Sequence, residues 1–361
     1  MTAREMLRFK GPKYLRQRIV CATLASKPIV IEGIRPLDEN PGLTDYEASF
    51  LRLMDKITNG TTIEINETGT VLKYRPGVIV GGRRLEHNCG VSRGIGYFLE
   101  GLVCLLPFGK KQSSITLTGI TNNESDLSVD LFRTVTLRLM RFFMPDAEEL
   151  SIKILKRGAP PLGGGEILFV CPVVRQLQSV QLDEPGHLTK IRGISYTTKV
   201  APAMANRMGE AAKELLGEVC EDVYTYNDHY RKAEGGRSPG YALSLVAESS
   251  KGGLLSVEAC ATTESLVAEE VGLLAARMLC EEMHRGGFVD TNQQWLVLLF
   301  MALTPEDVSK VLLGKMSKYT ISLLRNIRKF FDVVFKIKAS GDQVLLTCLG
   351  CGFKNLSKYV T

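Results

Sequence analysis

The apolar positions of this chain change period several times, and each change marks an element. Phe50, Leu51, Leu53, Met54 and Ile57 recur at helical spacing between residues 45 and 59, which predicts an amphipathic helix. Thr61-Thr62-Ile63-Glu64-Ile65-Asn66 alternates instead, after an Asn59-Gly60 turn, as a half-buried strand does. Val71-Leu72-Lys73-Tyr74 reads as the next strand. Residues 96–106 are apolar on all sides and predict a buried helix. A strand at 114–119 follows, then an amphipathic helix at 128–143 on Val129, Phe132, Val135, Leu139 and Phe142, then strands at 150–155 and 167–174. Two strands followed by a helix thus recur at 60–106 and 114–174, a weak repeat of pattern rather than of residues. Near the start, Ile19-Val20-Cys21-Ala22-Thr23-Leu24 is a short apolar run expected as a strand that ends near Lys27-Pro28-Ile29.

Composition shifts at Asp183-Glu184-Pro185-Gly186, and the next hundred residues are richer in Glu and Ala. Helices at 204–220 and 269–284 and strands at 222–226, 241–247 and 254–261 make 184–285 a second, smaller α/β domain. It divides the chain into 1–183, 184–285 and 286–361. The last segment reads as a helix at 295–303, then Thr304-Pro305-Glu306-Asp307, which has the form of a helix start. A basic helix at 320–329 is expected to pack through Ile321, Leu324, Ile327 and Phe331. A strand at 333–338, a hairpin at Gly341 and a strand at 344–348 close the chain.

The 361 residues suit one large or two medium domains, and 45% hydrophobic content suits a sizeable core. No apolar run approaches the roughly 18 to 20 residues of a membrane span, and the first residues lack a secretory signal's apolar core. The net charge of +6 is unevenly spread. Residues 1–18 hold six cations against Glu5, and residues 315–338 hold seven against Asp332, leaving the middle mildly acidic. Ends brought together by the fold would form one positive patch suited to RNA phosphates; otherwise each is an ordinary solvated face. The nine cysteines form no framework, which points to a reducing compartment. Cys348-Leu349-Gly350-Cys351 has no second pair and no following histidine, so no metal is expected there. Only His87, His187, His229 and His284 are available for imidazole chemistry.

One tract carries a possible phosphate signal. Lys156-Arg157 precede Gly163-Gly164-Gly165-Glu166 and an apolar strand. Three glycines in a row imply positive φ or a close approach of the backbone, and the cations make phosphate a candidate. A tight loop between strands satisfies the same pattern.

In order along the chain stand Leu15-Arg16, Asn40-Pro41-Gly42-Leu43, the tract 160–166, Ser238-Pro239-Gly240, and residues 281–290 leading into Gln293-Gln294. On these the chain resembles the RNA 3′-terminal phosphate cyclases nearly end to end. The resemblance implies an α/β (α+β) fold, with βαα-type repeats in a large domain and a smaller inserted α/β domain. It also implies a lineage of enzymes that adenylylate a histidine from ATP and pass AMP to an RNA 3′-phosphate, which cyclises onto the 2′-hydroxyl.

Four positions depart from that pattern. Gly11-Pro12-Lys13-Tyr14 replaces Gly-Gly-Gly-Gln, Tyr46-Glu47 replaces Gln-His, and Asn292-Gln293-Gln294 replaces Asp-Gln. The nucleophilic histidine falls at Tyr319, with Lys318 as the neighbouring alternative. Imidazole, with a pKa near ~6.5, is mostly neutral at pH 7, whereas only about 0.1% of an ordinary tyrosine is phenolate. The departures resemble the eukaryotic cyclase-like branch of the family, as do Leu15-Arg16-Gln17-Arg18-Ile19-Val20 and Asp307-Val308-Ser309-Lys310-Val311-Leu312-Leu313-Gly314. That resemblance implies no cyclase activity and no cofactor. It implies a nuclear and nucleolar role in early pre-rRNA processing toward 18S rRNA and the 40S subunit. The implied partners are pre-rRNA, small-subunit processome components and a large ribosome-biogenesis GTPase. Lys13, Arg16, Lys156, Arg157, Gly163, Gly164, Gly165, Lys318, Arg325, Arg328 and Lys329 are the expected anion- or RNA-binding residues. The alternative is a pre-rRNA endonuclease using Tyr319, Arg325 and Asp332.

Overall fold

The computed structural model describes residues 6–230, 234–261 and 267–356. Three four-stranded sheets share one construction. The first joins Leu7–Lys10, Ile29–Glu32, Val71–Arg75 and Thr62–Ile65 in that spatial order. The second joins Leu85–Asn88, Ser113–Gly119, Gly165–Cys171 and Ser151–Lys156, and the third Gln181–Leu182, Val308–Leu313, Gln343–Leu349 and Lys336–Ser340. In each, the first pair is parallel and the other pairs are antiparallel. A parallel pair needs a crossover, and helices supply it. The repeat is therefore strand, helix, strand, helix, strand, strand, and it occurs three times. The sequence pattern suggests two repeats in a different phase, because the parallel opening strands at 7, 85 and 181 are too short to register.

The first helix of each repeat is Leu15–Ala25, Ile95–Leu105 and Gln294–Leu303. All ten residues of Gln294–Leu303 are buried, and in Ile95–Leu105 every residue except Glu100 is buried. Together with the three sheets these helices build one continuous core. Leu15–Ala25 covers the run expected as a strand. Length does not separate a buried helix from a buried strand in so short an apolar stretch, and burial of Leu15, Ile19, Val20 and Leu24 around most of the helix erases its amphipathic signature.

Between the first strand of the third repeat and its helix lies a unit of its own. Its sheet runs Val223–Tyr230, Leu188–Thr198, Gly240–Ser249, Leu254–Cys260. Helices Ala203–Leu216 and Ala268–Arg285 close a separate core around Met208, Leu243, Leu245, Val271 and Leu279.

Two local expectations fail. Thr304-Pro305-Glu306-Asp307 begins no helix but leads into the strand Val308–Leu313. Thr304 ends the preceding helix, with its Oγ1 donating to the Met301 carbonyl at 2.8 Å. The basic helix spans Lys318–Phe331 and buries Leu323, Asn326, Ile327 and Phe330, while Ile321 is exposed. Its buried stripe is turned from the one read off the sequence because Asn326, a polar residue that suggests solvent, donates to Gln17 Oε1 at 3.1 Å.

Candidate functional site

The first helices of all three repeats and the start of the Lys318–Phe331 helix line a cleft of about 890 Å³. Arg16, in the first turn of Leu15–Ala25, sends Nη1 to the Tyr97 carbonyl at 2.9 Å. Its guanidinium lies 4.3 Å from the Tyr97 ring centroid and is ion-paired with Glu100. Tyr319, in the first turn of the last helix, donates its hydroxyl to Glu100 and accepts from Arg16 Nη2 at 3.3 Å. Burial and the Glu100 carboxylate push the Tyr319 phenol well above its ordinary pKa. Lys318 is exposed beside it. Glu100 is the lone charge in the apolar helix Ile95-Gly96-Tyr97-Phe98-Leu99-Glu100-Gly101-Leu102-Val103-Cys104-Leu105. A lone carboxylate in a buried helix is a readable signal, and it is absent from the residues expected on sequence grounds.

Two more arginines line the cleft, and both are held by carboxylates. Arg35 pairs with Glu47 and donates Nε to the Gly42 carbonyl at 3.0 Å. Arg93 Nε meets both Asp126 oxygens, at 3.1 and 2.8 Å, while its guanidinium lies over the Tyr46 and Tyr97 rings. Gly96 is fixed by this wall, because a Cβ there would stand 1.8 Å from the Leu127 carbonyl oxygen. The lining holds four cations, counting exposed Lys13, against five carboxylates, Glu47, Glu100, Glu124, Asp126 and Glu258. Among the described residues no histidine lines it. His87 is buried elsewhere, 3.1 Å from Ser49 Oγ, and burial lowers its pKa to about 4.

The glycine tract lies outside this cleft. Arg157 is 0% exposed. Its Nη2 donates to Asp130 at 2.9 Å and Asp228 at 3.2 Å, and its guanidinium lies 4.2 and 5.2 Å from the Tyr196 and Tyr230 ring centroids. A guanidinium so enclosed cannot reach a phosphate, which corrects its expected role. Gly163 and Gly164 have φ of 60° and 82°. A Cβ on Gly164 would stand 3.0 Å from Arg237 Cγ. Arg237 N–H donates to the Gly163 carbonyl at 2.7 Å, and Arg157 N–H to the Glu234 carbonyl at 3.0 Å. The glycines let the hairpin that ends in Gly165–Cys171 dock against the smaller sheet's 234–240 connection. Exposed Lys156 pairs with Glu166 at 3.1 Å.

The two basic ends of the chain do meet. Lys329 Nζ donates to the Arg8 carbonyl at 2.9 Å and sits 3.9 Å from the Phe9 ring centroid, and Phe9 stacks on Phe330. Arg325, Arg328 and Lys329 are exposed. Tyr319 and Asp332 stand at opposite ends of a 14-residue helix, about 20 Å apart at 1.5 Å per residue. The trio Tyr319, Arg325 and Asp332 is therefore not assembled into one site.

The fold is thus a thrice-repeated α/β unit with a polar cleft where its helices converge. The family model for RNA 3′-terminal phosphate cyclase matches residues 7–337, and the chain belongs to that family. The mouse RNA 3′-terminal phosphate cyclase-like protein is 48% identical over 99% of each chain. A probable RNA 3′-terminal phosphate cyclase-like protein of Dictyostelium discoideum is 51% identical over 98% of this chain and 99% of its own. The Schizosaccharomyces pombe rRNA processing protein rcl1 is 42% identical over the full length of both. Among the described residues no helix is long and apolar enough to cross a membrane, and no group of three or more His, Cys, Asp or Glu side chains is placed to hold a metal ion.

Proposed function

We propose that this chain acts in rRNA processing as a non-catalytic member of its family, a scaffold that binds pre-rRNA and a GTPase partner in nucleolar assembly of the small subunit. One observation carries the reading. Pro12-Lys13-Tyr14, Tyr46-Glu47, Asn292 and Tyr319, which include residues from each of the four departures from the cyclase pattern, line the same cleft, while Gln293 and Gln294 are buried behind it. Scattered drift would not converge so. The cleft they surround offers a phenol of raised pKa in place of an imidazole, and its three arginines are already neutralised from within. A nucleophile needs a lowered pKa or an adjacent base, and a polyphosphate needs cations without partners. Glu100, the one carboxylate that takes the Tyr319 hydrogen bond, is tied to Arg16 and raises the phenol's pKa rather than lowering it. Of the cleft's four cations only exposed Lys13 has no carboxylate partner among the described residues.

Incubation of the pure protein with radiolabelled ATP is expected to leave no covalent AMP. Labelling at any residue would overturn the non-catalytic reading. The binding half rests on the joined basic ends. The double charge reversal Arg325→Glu, Arg328→Glu is expected to weaken RNA binding at low salt. It should also flatten the slope of log affinity against log salt by about one for each phosphate that is no longer neutralised. An unchanged slope would remove this face from RNA binding and leave it to the GTPase.

A further inference from the structure

The charge pairs of the cleft leave part of its lining unaccounted for. Asn122, 3% exposed, and Glu258, in the strand Leu254–Cys260, both line it. Glu258 Oε1 accepts the Ser128 N–H at 2.8 Å. Its Oε2, and Asn122 Oδ1, are buried and find no partner among the described residues. Buried polar groups are normally paired. Asn122 Oδ1 can only accept and Glu258 Oε2 accepts once its carboxyl is ionised, whereas the third orphan of the lining, Arg16 Nε, is a donor on the guanidinium already paired with Glu100. What is missing is a donor.

The surroundings say which kind. Glu258 is faced by Asp130 from the start of the next helix, by Asp290, by Cys260 on its own strand and by Tyr196 of the same sheet, with Glu124 near Cys260. Buried Arg157, against the Tyr196 ring, is spent on Asp130. The cleft's arginines are spent on Glu100, Glu47 and Asp126. An anion or a phosphorylated ligand would meet acceptors and carboxylates here. A guanidinium would meet its complement, because its planar fork carries five donors and suits two acceptors on different elements.

We propose that this end of the cleft receives an arginine side chain from a basic peptide segment of a partner, held by Glu258 and Asn122 with Glu124 beyond them. The site uses no residue of the basic face, so its failure would leave the scaffold reading standing. Burial pushes the Glu258 carboxyl up to about 8, so at pH 7 the empty site keeps its proton. A guanidinium stays charged throughout and favours the carboxylate. Binding therefore releases up to one proton, and affinity rises by up to about tenfold per pH unit between pH 6 and 8, levelling above.

The test is calorimetry on the full chain with an acetylated, amidated tetra-arginine peptide and its tetra-citrulline counterpart, which keeps the shape and loses the charge. The arginine peptide is expected to bind at least tenfold tighter. Glu258→Gln keeps the acceptor for Ser128 and should abolish that preference, with no fall in melting temperature. Titration of the unaltered protein near pH 7, in buffers of different ionisation enthalpy, should count the released proton without any variant. Equal binding of the two peptides would overturn the proposal. So would an unchanged affinity in Glu258→Gln, absence of proton release, or competition by adenosine that persists in Glu258→Gln, which would mark a nucleobase site instead.

Discussion

Arg157 and Arg16 look alike on local chemistry. Each is ion-paired to an acid and lies against tyrosine rings. They differ in what lies beyond the pair. Arg157 is sealed in the joint between the second sheet and the smaller sheet, with no side-chain exposure. Arg16 keeps 13% of its side chain exposed and opens on the cleft. The first holds two parts of the molecule together. The second lies on an open cleft, and its charge is cancelled there by the Glu100 carboxylate.

Replacing each arginine by methionine breaks that comparison most directly. Arg157→Met leaves Asp130, which is 1% exposed, with only the partly exposed Arg133 at 3.3 Å, and is expected to cost about 3 kcal/mol, the lower end of what losing one partner of a buried pair costs. Arg16→Met leaves Glu100 15% exposed and still accepting from Tyr319, so about 2 kcal/mol is expected, the scale of a lost hydrogen bond to a charged group. Urea unfolding with both variants measures the difference. An Arg16→Met cost equal to or above that of Arg157→Met would mean that the cleft, not the joint, is the keystone.

The same comparison explains what is legible in the sequence. The glycine tract marks a place where backbone must approach something closely, and Gly163 and Gly164 do have positive φ. What it approaches is not legible, because the 234–240 connection is remote in sequence and only the fold brings it there. The helix at 45–57 follows from periodicity, and the one at 95–105 from an apolar run too long for an ordinary strand. The helix at 15–25 escapes because its uninterrupted apolar run, Ile19 to Leu24, is short enough to read equally as a buried strand. In the cleft, Arg16 and Tyr319 emerge through the family resemblance. Glu100, Arg35 and Arg93 do not, although a single glutamate inside an otherwise apolar helix is on view. Paired charges far apart in sequence give no local signal, and the pairing decides whether an arginine is available to a ligand.

Tyr319→Phe is the finest probe. Its hydroxyl donates to Glu100 and accepts from Arg16, while its ring meets Tyr14 edge-on with centroids 5.3 Å apart. Phenylalanine keeps the ring packing and leaves Glu100 paired to Arg16, so the expected cost is about 1 kcal/mol, that of one net hydrogen bond. Stability alone, however, would not separate a structural tyrosine from a disguised nucleophile. The phenol's titration does. A nucleophilic tyrosine must be poised for ionisation near working pH, which requires a pKa below the usual ~10. Burial and the neighbouring carboxylate push Tyr319 the other way, because forming a second anion beside Glu100 is penalised even with Arg16 present. Alkaline difference absorbance between the unaltered protein and Tyr319→Phe is therefore expected to show no tyrosinate signal from this position through pH 10. A signal appearing below pH 9 would mean that Arg16 is paired to a phenolate rather than to Glu100, and the cancelled charge on which the cleft's reading depends would be an active one.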